Sequence, residues 1–248
     1  MNLNKLILTK NDCYKAGRKI TPKGIMVHST GANNPWLKRY LPDDGNIGKN
    51  TGGNHWNTPL PGGIQVCVHA FIGKLADGSI ATYQTLPWNH RGWHGGGKSN
   101  DTHIGFEICE DGLADRDYFN KVYKEATELC AYLCKEYGLT EKDIICHSEG
   151  YKKGIASNHG DVMHWFPKHG KTMDTFRTDV AKLLKGETKP TMSKFTDIKG
   201  HYAENHIKKL EDYGIINGDG EGHFNPDEKA TRADVAIMIA NALSVLGK

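Results

Sequence analysis

The sequence predicts an α/β layered domain followed by a small all-α module. Three observations carry this reading. Short apolar runs bounded by Gly, Asp, Asn or Lys recur between residues 24 and 146, apolar residues from Phe119 to Tyr137 repeat at helical spacing, and Lys185 to Ser193 has no periodicity.

In chain order, strands are expected at Gly24 to His28, Ile64 to Phe71, Ile80 to Gln84, Ile104 to Cys109 and Ile144 to Cys146. Between the last two, Phe119, Val122, Ala126, Leu129, Leu133 and Tyr137 fall at steps of three and four, a helical stripe that stops at Gly138. A second long helix is expected over Met173 to Leu184, where Phe176, Val180 and Leu183 share a face. Strands alternating with helices make layers. The polar stretch Lys185-Gly-Glu-Thr-Lys-Pro-Thr-Met-Ser193 reads as a linker, which divides the chain into a domain over 1–185, a linker over 186–193 and a module over 194–248.

In the module, Ala203, Ile207 and Leu210 form a helical stripe ending near Gly214, and Thr231 with Asp234 resembles a capping box before Val235, Met238, Ile239 and Ala242. Two helices joined by a Gly-rich loop bury little core alone. The module is therefore expected to pack against copies of itself or another domain.

Composition narrows the partners. With 38% hydrophobic and 25% charged residues among 248, the chain is ordinary for a folded protein. No run approaches the roughly 18 apolar residues of a membrane span, and Met1 to Lys10 breaks its apolar character too early for a secretory leader. A membrane protein and a classically secreted precursor are both disfavoured. The net charge of +3 is too small to suggest a nucleic-acid partner. The last 55 residues hold 7 Lys+Arg against 9 Asp+Glu, leaving 25 against 20 in the rest, so the basic portion is drawn weakly to anionic surfaces. Six cysteines, spread without a CxxC pair, read as reduced core thiols.

Thirteen histidines stand out, ten of them before the linker. His28 ends the apolar run Ile25-Met-Val-His28 and His147 follows Ile144-Ile-Cys146, so two imidazoles can meet at adjacent strand ends, where open sheets hold their sites. The loop Ser157-Asn-His-Gly-Asp161 adds another imidazole and a carboxylate. Two His and one carboxylate with a fourth position open to water make a catalytic zinc site. Glu107 is a carboxylate inside the apolar run Ile104 to Cys109, where burial without purpose is costly.

Four motifs in order then resemble the zinc-dependent type 2 N-acetylmuramoyl-L-alanine amidases, whose fold is shared by peptidoglycan recognition proteins and several phage endolysins. They are Met26-Val-His-Ser-Thr-Gly31, His69-Ala-Phe-Ile with Gly78-Ser-Ile-Ala-Thr-Tyr-Gln84, Gly92-Trp-His-Gly95 leading to Ile104-Gly-Phe-Glu-Ile108, and His147 with His159-Gly-Asp161. The resemblance implies a central mixed sheet flanked by helices, with Zn2+ held by His28, His147 and Asp161. It also implies Glu107 as general base and His159 facing the oxyanion. The common continuation after the ligand Asp is Pro-Gly, whereas this chain has Val162-Met-His-Trp165, which leaves open an exchange of roles between His159 and Asp161 and adds His164 as a candidate. His69, His94, Trp93 and Trp36 are candidates for lining the substrate groove. The implied chemistry is hydrolysis of the bond between N-acetylmuramic acid and L-alanine: zinc polarises the amide carbonyl, Glu107 takes a proton from water, and His159 helps stabilise the oxyanion. The alternatives are a non-catalytic peptidoglycan-recognition protein and a zinc peptidase cutting within the stem peptide.

The tail, through Phe195-Thr-Asp-Ile198, Gly214-Ile-Ile-Asn-Gly218, Phe224-Asn-Pro226 and Thr231-Arg-Ala233, resembles one S-layer homology repeat. The resemblance implies an anionic secondary cell-wall polymer as partner, met by Arg232. Such repeats normally come in threes. Either three chains associate through the tail as a homo-oligomer, or it pairs with the catalytic domain, or it binds weakly. A rival reading sets Asn217, Asp219, Glu221, Gly222, Asn225 and Glu228 on a calcium-loop template. Together these readings describe an endolysin or autolysin; without a leader, an enzyme held in the host cytoplasm until released to the wall is expected.

Overall fold

The computed structural model describes residues 1–61, 66–186 and 193–245. It divides into two compact units, Met1–Lys185 and Gly186–Lys248. The expected linker lies mostly outside the described residues.

The first unit is built on one six-stranded sheet. Its strands are β1 (Leu3–Lys5), β2 (Gly24–Asn33), β3 (Ala70–Lys74), β4 (Ile80–Gln84), β5 (His103–Glu110) and β6 (Ile144–Cys146), in the order β1-β4-β3-β5-β2-β6. All neighbours run parallel except β3 and β4, so the sheet is mixed. These two form a hairpin because Leu75-Ala-Asp-Gly-Ser79 closes it: Gly78 takes a φ of 84° and the Asp77 carboxylate accepts from the backbone N–H and hydroxyl of Ser79.

Alternation along the strands gives the sheet two faces. Ile25, Val27, Ala70, Ile72, Phe106 and Ile108 point to one, into the main core. There they meet α2 (Arg116–Tyr137), which presents Phe119, Val122, Ala126, Leu129 and Leu133. Each large apolar side chain so buried contributes about 1.5–3 kcal/mol. Asp115 caps the start of α2 by accepting from the Tyr118 N–H, and Gly138, with φ 63°, ends it. Helix α4 (Met173–Leu184), opened by a reciprocal Thr172–Thr175 capping pair, packs on α2 through Phe176 against Tyr123. The opposite face carries Met26 and His28 on β2, Glu107 on β5 and Phe71 on β3.

Three elements escape the apolar pattern because they are short: β1, α1 (Asp12–Ala16) and α3 (His147–Lys152). The strand expected over 64–71 is corrected. Residues 64 and 65 lie outside the described ones, Cys67 makes only an isolated bridge to Trp93, and regular pairing starts at Ala70, where β3 gains β5 and β4 as neighbours. All six cysteines are buried and free.

The second unit holds α5 (Glu204–Asp212) and α6 (Arg232–Val245). A small core of Phe195, Ile198, Ile207 and Ile216 joins them, with Ala203, Phe224 and Met238 packed against it. Asp197 accepts from the backbone N–H groups of Phe224 and Asn225 and so fixes the loop. Thr231 and Asp234 form the capping pair expected from sequence. The expected stripe of α6 is only partly covered within the unit: Met238 packs on the core, while Val235 and Ile239 stay 43% and 56% exposed, and Leu210 of α5 is also at the surface.

Candidate active site

Parallel pairing decides where the first histidines meet. Val27 of β2 stands opposite Cys146 of β6, so His28, the next residue of β2, and His147, the first residue of α3, come side by side. Their rings lie 4.9 Å apart, nearly perpendicular. On the other side of β2, His28 is in register with Glu107 of β5, and Glu107 with Phe71 of β3.

The loop after α3 brings the carboxylate. Asp161 Oδ2 lies 2.9 Å from His28 Nδ1 and 3.6 Å from His147 Nδ1. One ligand atom from each of the three residues falls within 4.8 Å of the others. Among the described residues this is the one cluster of three or more His, Cys, Asp or Glu donors so placed. Burial opposes ionisation of Asp161, but the hydrogen bonds and charges of His147 and His28 outweigh it and hold the carboxyl far below the ordinary carboxylate range. His28 is pushed down from the usual imidazole range by burial, with Asp161 partly offsetting this.

These residues line a cleft of about 730 Å³, together with Glu107, Trp93, His94, His159 and His164. Glu107 Oε2 is buried without a hydrogen-bond partner. Burial raises its pKa well above the carboxylate range, and the negative charges of Asp161 and Glu110 raise it further. An unpartnered carboxyl oxygen beside a cluster of metal donors is an arrangement for moving a proton.

His159 is exposed, its ring 4.6 Å from that of His147, whereas Asp161 is the member of the pair that faces both imidazoles. His164 turns to Glu110 instead, 2.9 Å away, and Glu110 also accepts from the Gly31 N–H. Glu110 thus ties the loop carrying Asp161 to the segment after His28. Trp93 is 39% exposed on the cleft with the Arg91 guanidinium over its ring.

Three expected groove residues have other surroundings. His69 is fully buried and does not reach the cleft: Nδ1 accepts from the Gly105 N–H and Nε2 donates to the His90 carbonyl. His94 borders the cleft, but both ring nitrogens are engaged, Nδ1 with His28 and Nε2 with the His103 carbonyl. Trp36 sits beside Lys38 and Lys74, outside the lining of the cleft. Ser157 and Glu110 carry no sequence signal, since each acts through a partner distant along the chain, and Asn100 carries none because it serves a turn by accepting its backbone N–H groups.

In the second unit, Arg232 is exposed at the start of α6. A separate cavity of about 560 Å³ there is lined by Asn217, Asp219, Phe224, Asn225 and Asp234 among others, and Arg232 does not line it. The calcium-loop residues are held by protein groups here. Asp219 is engaged by the backbone N–H groups of Glu221 and His223 and by the His223 ring, and no group of three His, Cys, Asp or Glu donors forms around it among the described residues.

Residues 17–165 match the family described as N-acetylmuramoyl-L-alanine amidase, and residues 194–236 match the S-layer homology domain. Among solved structures, the chain is similar to the catalytic domain of XlyA, at 21% identity over 73% of this chain and 99% of that one, with a TM-score of 0.53. It is also similar to the hydrolase AmiA of Staphylococcus aureus, at 18% identity over 77% of this chain and 87% of that one, with a TM-score of 0.54. At these identities the likeness is one of fold. An uncharacterized cell wall amidase of Bacillus anthracis is 44% identical over 48 residues, 19% of this chain and 9% of that protein. A surface-layer 125 kDa protein of Lysinibacillus sphaericus is 39% identical over 54 residues, 22% of this chain and 4% of that protein. The chain therefore spans only a small part of these two relatives.

Proposed function

The chain belongs to the N-acetylmuramoyl-L-alanine amidase family matched over residues 17–165, and on that premise we propose that it hydrolyses the amide joining N-acetylmuramic acid to the L-alanine of the peptidoglycan stem peptide. The observation that carries this reading is the convergence of His28, His147 and Asp161 in a cleft that also holds the unpartnered Glu107 carboxyl.

The donor set fits zinc. Two imidazole nitrogens and one carboxylate oxygen are the ligands of a catalytic site that leaves a fourth position open. Zinc, when bound there, supplies a Lewis acid for the amide carbonyl and lowers the pKa of water. Glu107 accepts the proton of the attacking water and returns it to the departing L-alanine amine, and its apolar surroundings keep it basic enough to do so. His159, exposed above His147, donates toward the developing oxyanion. Trp93 offers its ring face to the sugar or to aliphatic peptide carbons. His69 lies behind the cleft and His94 borders it with both ring nitrogens engaged, and neither is proposed as a substrate contact.

Residues 1–185 carry the chemistry in this reading, and residues 194–248 retain the enzyme on the wall, with Arg232 meeting an anionic polymer. The test is digestion of purified peptidoglycan by zinc-loaded and chelator-stripped protein, followed by mass analysis. Free stem peptides beginning with L-alanine, released only with metal, are expected. Cuts inside the peptide would make it a zinc peptidase, and retention without cleavage a recognition protein.

A further inference from the structure

A histidine binds a metal only through an unprotonated ring nitrogen, so the outward hydrogen bond of each ligand imidazole decides which nitrogen is free. Here that choice is forced by two carbonyl oxygens, which accept and never donate.

The first is the His103 carbonyl, 3.2 Å from His94 Nε2. That nitrogen must carry the proton, which leaves Nδ1 of a neutral His94 as an acceptor. It lies 3.0 Å from His28 Nε2. His28 therefore donates from Nε2, which leaves Nδ1, the nitrogen on Asp161, as the one a metal can take. The second is the Gly95 carbonyl, 3.3 Å from Ser157 Oγ. It accepts the hydrogen bond of the hydroxyl, and the hydroxyl oxygen, 3.1 Å from His147 Nε2, accepts that N–H. His147 Nδ1 is thereby left for the cluster as well. The two Nδ1 atoms are those facing Asp161 Oδ2.

Both chains start from adjacent residues, His94 and Gly95. A single atom holds them: Asn100 Oδ1 accepts from the His94 N–H at 2.9 Å and from the Gly95 N–H at 2.8 Å, and Asn100 is buried. The turn is tied to the loop carrying Ser157 by two backbone bonds, Ser157 N–H to the Gly95 carbonyl and Ser99 N–H to the Ile155 carbonyl. Glycine is required on both sides. A Cβ on Gly105 would run into the His94 ring, and Gly96 has a φ of 68° with its Cβ direction aimed at Ser157.

We propose that the His94–Gly95 turn, anchored by Asn100, is a positioning frame that presents Nδ1 of both His28 and His147 to the metal, through His94 on one side and Ser157 on the other. It rests on the zinc reading of the site. The frame residues are positioning groups, which act by fixing the tautomer and ring plane of the ligands.

The test uses the full chain. Zinc affinity is measured by competition with a chromophoric chelator for the wild type, Ser157→Ala, Ser157→Thr and His94→Phe, with melting of each metal-free protein as a check on folding. Long-range proton–nitrogen spectra of the zinc-loaded wild type report which ring nitrogens keep their protons. The expected result is Nδ1 coordination with protonated Nε2 at both histidines. Ser157→Ala and His94→Phe should lose about 10–100-fold in affinity, with Ser157→Thr restoring it. Should His94→Phe not fold, the serine pair and the wild-type spectra decide alone. Coordination through Nε2 at either histidine, or an unchanged affinity in Ser157→Ala, would overturn the frame while leaving the zinc site standing. A wild type that takes up no zinc would overturn both.

Discussion

His28 and Glu107 occupy the same register position on the adjacent parallel strands β2 and β5, on the face of the sheet opposite the main core. In the proposed mechanism a metal donor and a proton acceptor are thus held one strand spacing apart by backbone hydrogen bonds, a more rigid support than a loop offers. The expected division of labour can be tested residue by residue.

Glu107→Gln keeps the shape and removes the basicity. Peptidoglycan hydrolysis should fall by roughly 10²–10⁴-fold, the usual worth of a positioned acid–base group, while zinc affinity stays within a few-fold of the wild type. Turnover on purified walls and a zinc titration check the two halves. A fully lytic variant would remove Glu107 from the mechanism.

Zinc should stabilise the fold by mass action, because the three donors converge only in the native state. At zinc about 100-fold above its dissociation constant the gain is about 2.7 kcal/mol, a rise in melting temperature on the order of 5–10 °C for a unit of this size. Chelator should reverse the rise, and His147→Ala should show none. Differential scanning fluorimetry with and without zinc suffices.

His69 makes stability fall in acid. Burial is the main cause that holds its pKa down at about 4, against 6.5 when unfolded, with the hydrogen bonds to the His90 and Gly105 backbone partly offsetting it. The unfolded chain therefore binds the proton first as pH drops. The contribution of the neutral ring is fully present above 6.5 and is lost as pH falls toward 4, on the order of 3 kcal/mol in all. Urea denaturation of wild type and His69→Gln across this window should show a shallower acid decline in the variant. Parallel declines would refute the assignment.

Arg232→Ala should reduce retention on walls that carry an anionic secondary polymer, and the wild type should lose retention as salt is raised, since exposed charges are screened over about 10 Å at 0.1 M. Co-sedimentation with intact walls at two salt concentrations measures both. Equal retention of variant and wild type would place polymer binding elsewhere in the tail.

Much of this protein is legible in its order of residues. The period of α2 and its stop at Gly138, the capping pair before α6 and four of the strands follow from local spacing, because helix and strand periods are properties of neighbours along the chain. The histidines at the ends of two apolar runs and the carboxylate inside a third mark the cleft for the same reason: a polar group at such a position has a costly alternative.

The tertiary structure decided the rest. Spacing shows that His69 and His94 lie near strands, yet whether a ring opens to the cleft or turns inward depends on carbonyls of His90 and His103 that folding brings to it. Ser157 reads as an ordinary loop serine until Gly95, 62 residues away, orients its hydroxyl. Asn100 shows no signal of its own, because its work is to accept two backbone N–H groups of a turn. Local pattern names the groups that can bind a metal; which ring nitrogen each presents is set by hydrogen bonds between segments far apart in sequence, and those form only when the sheet and its loops have closed.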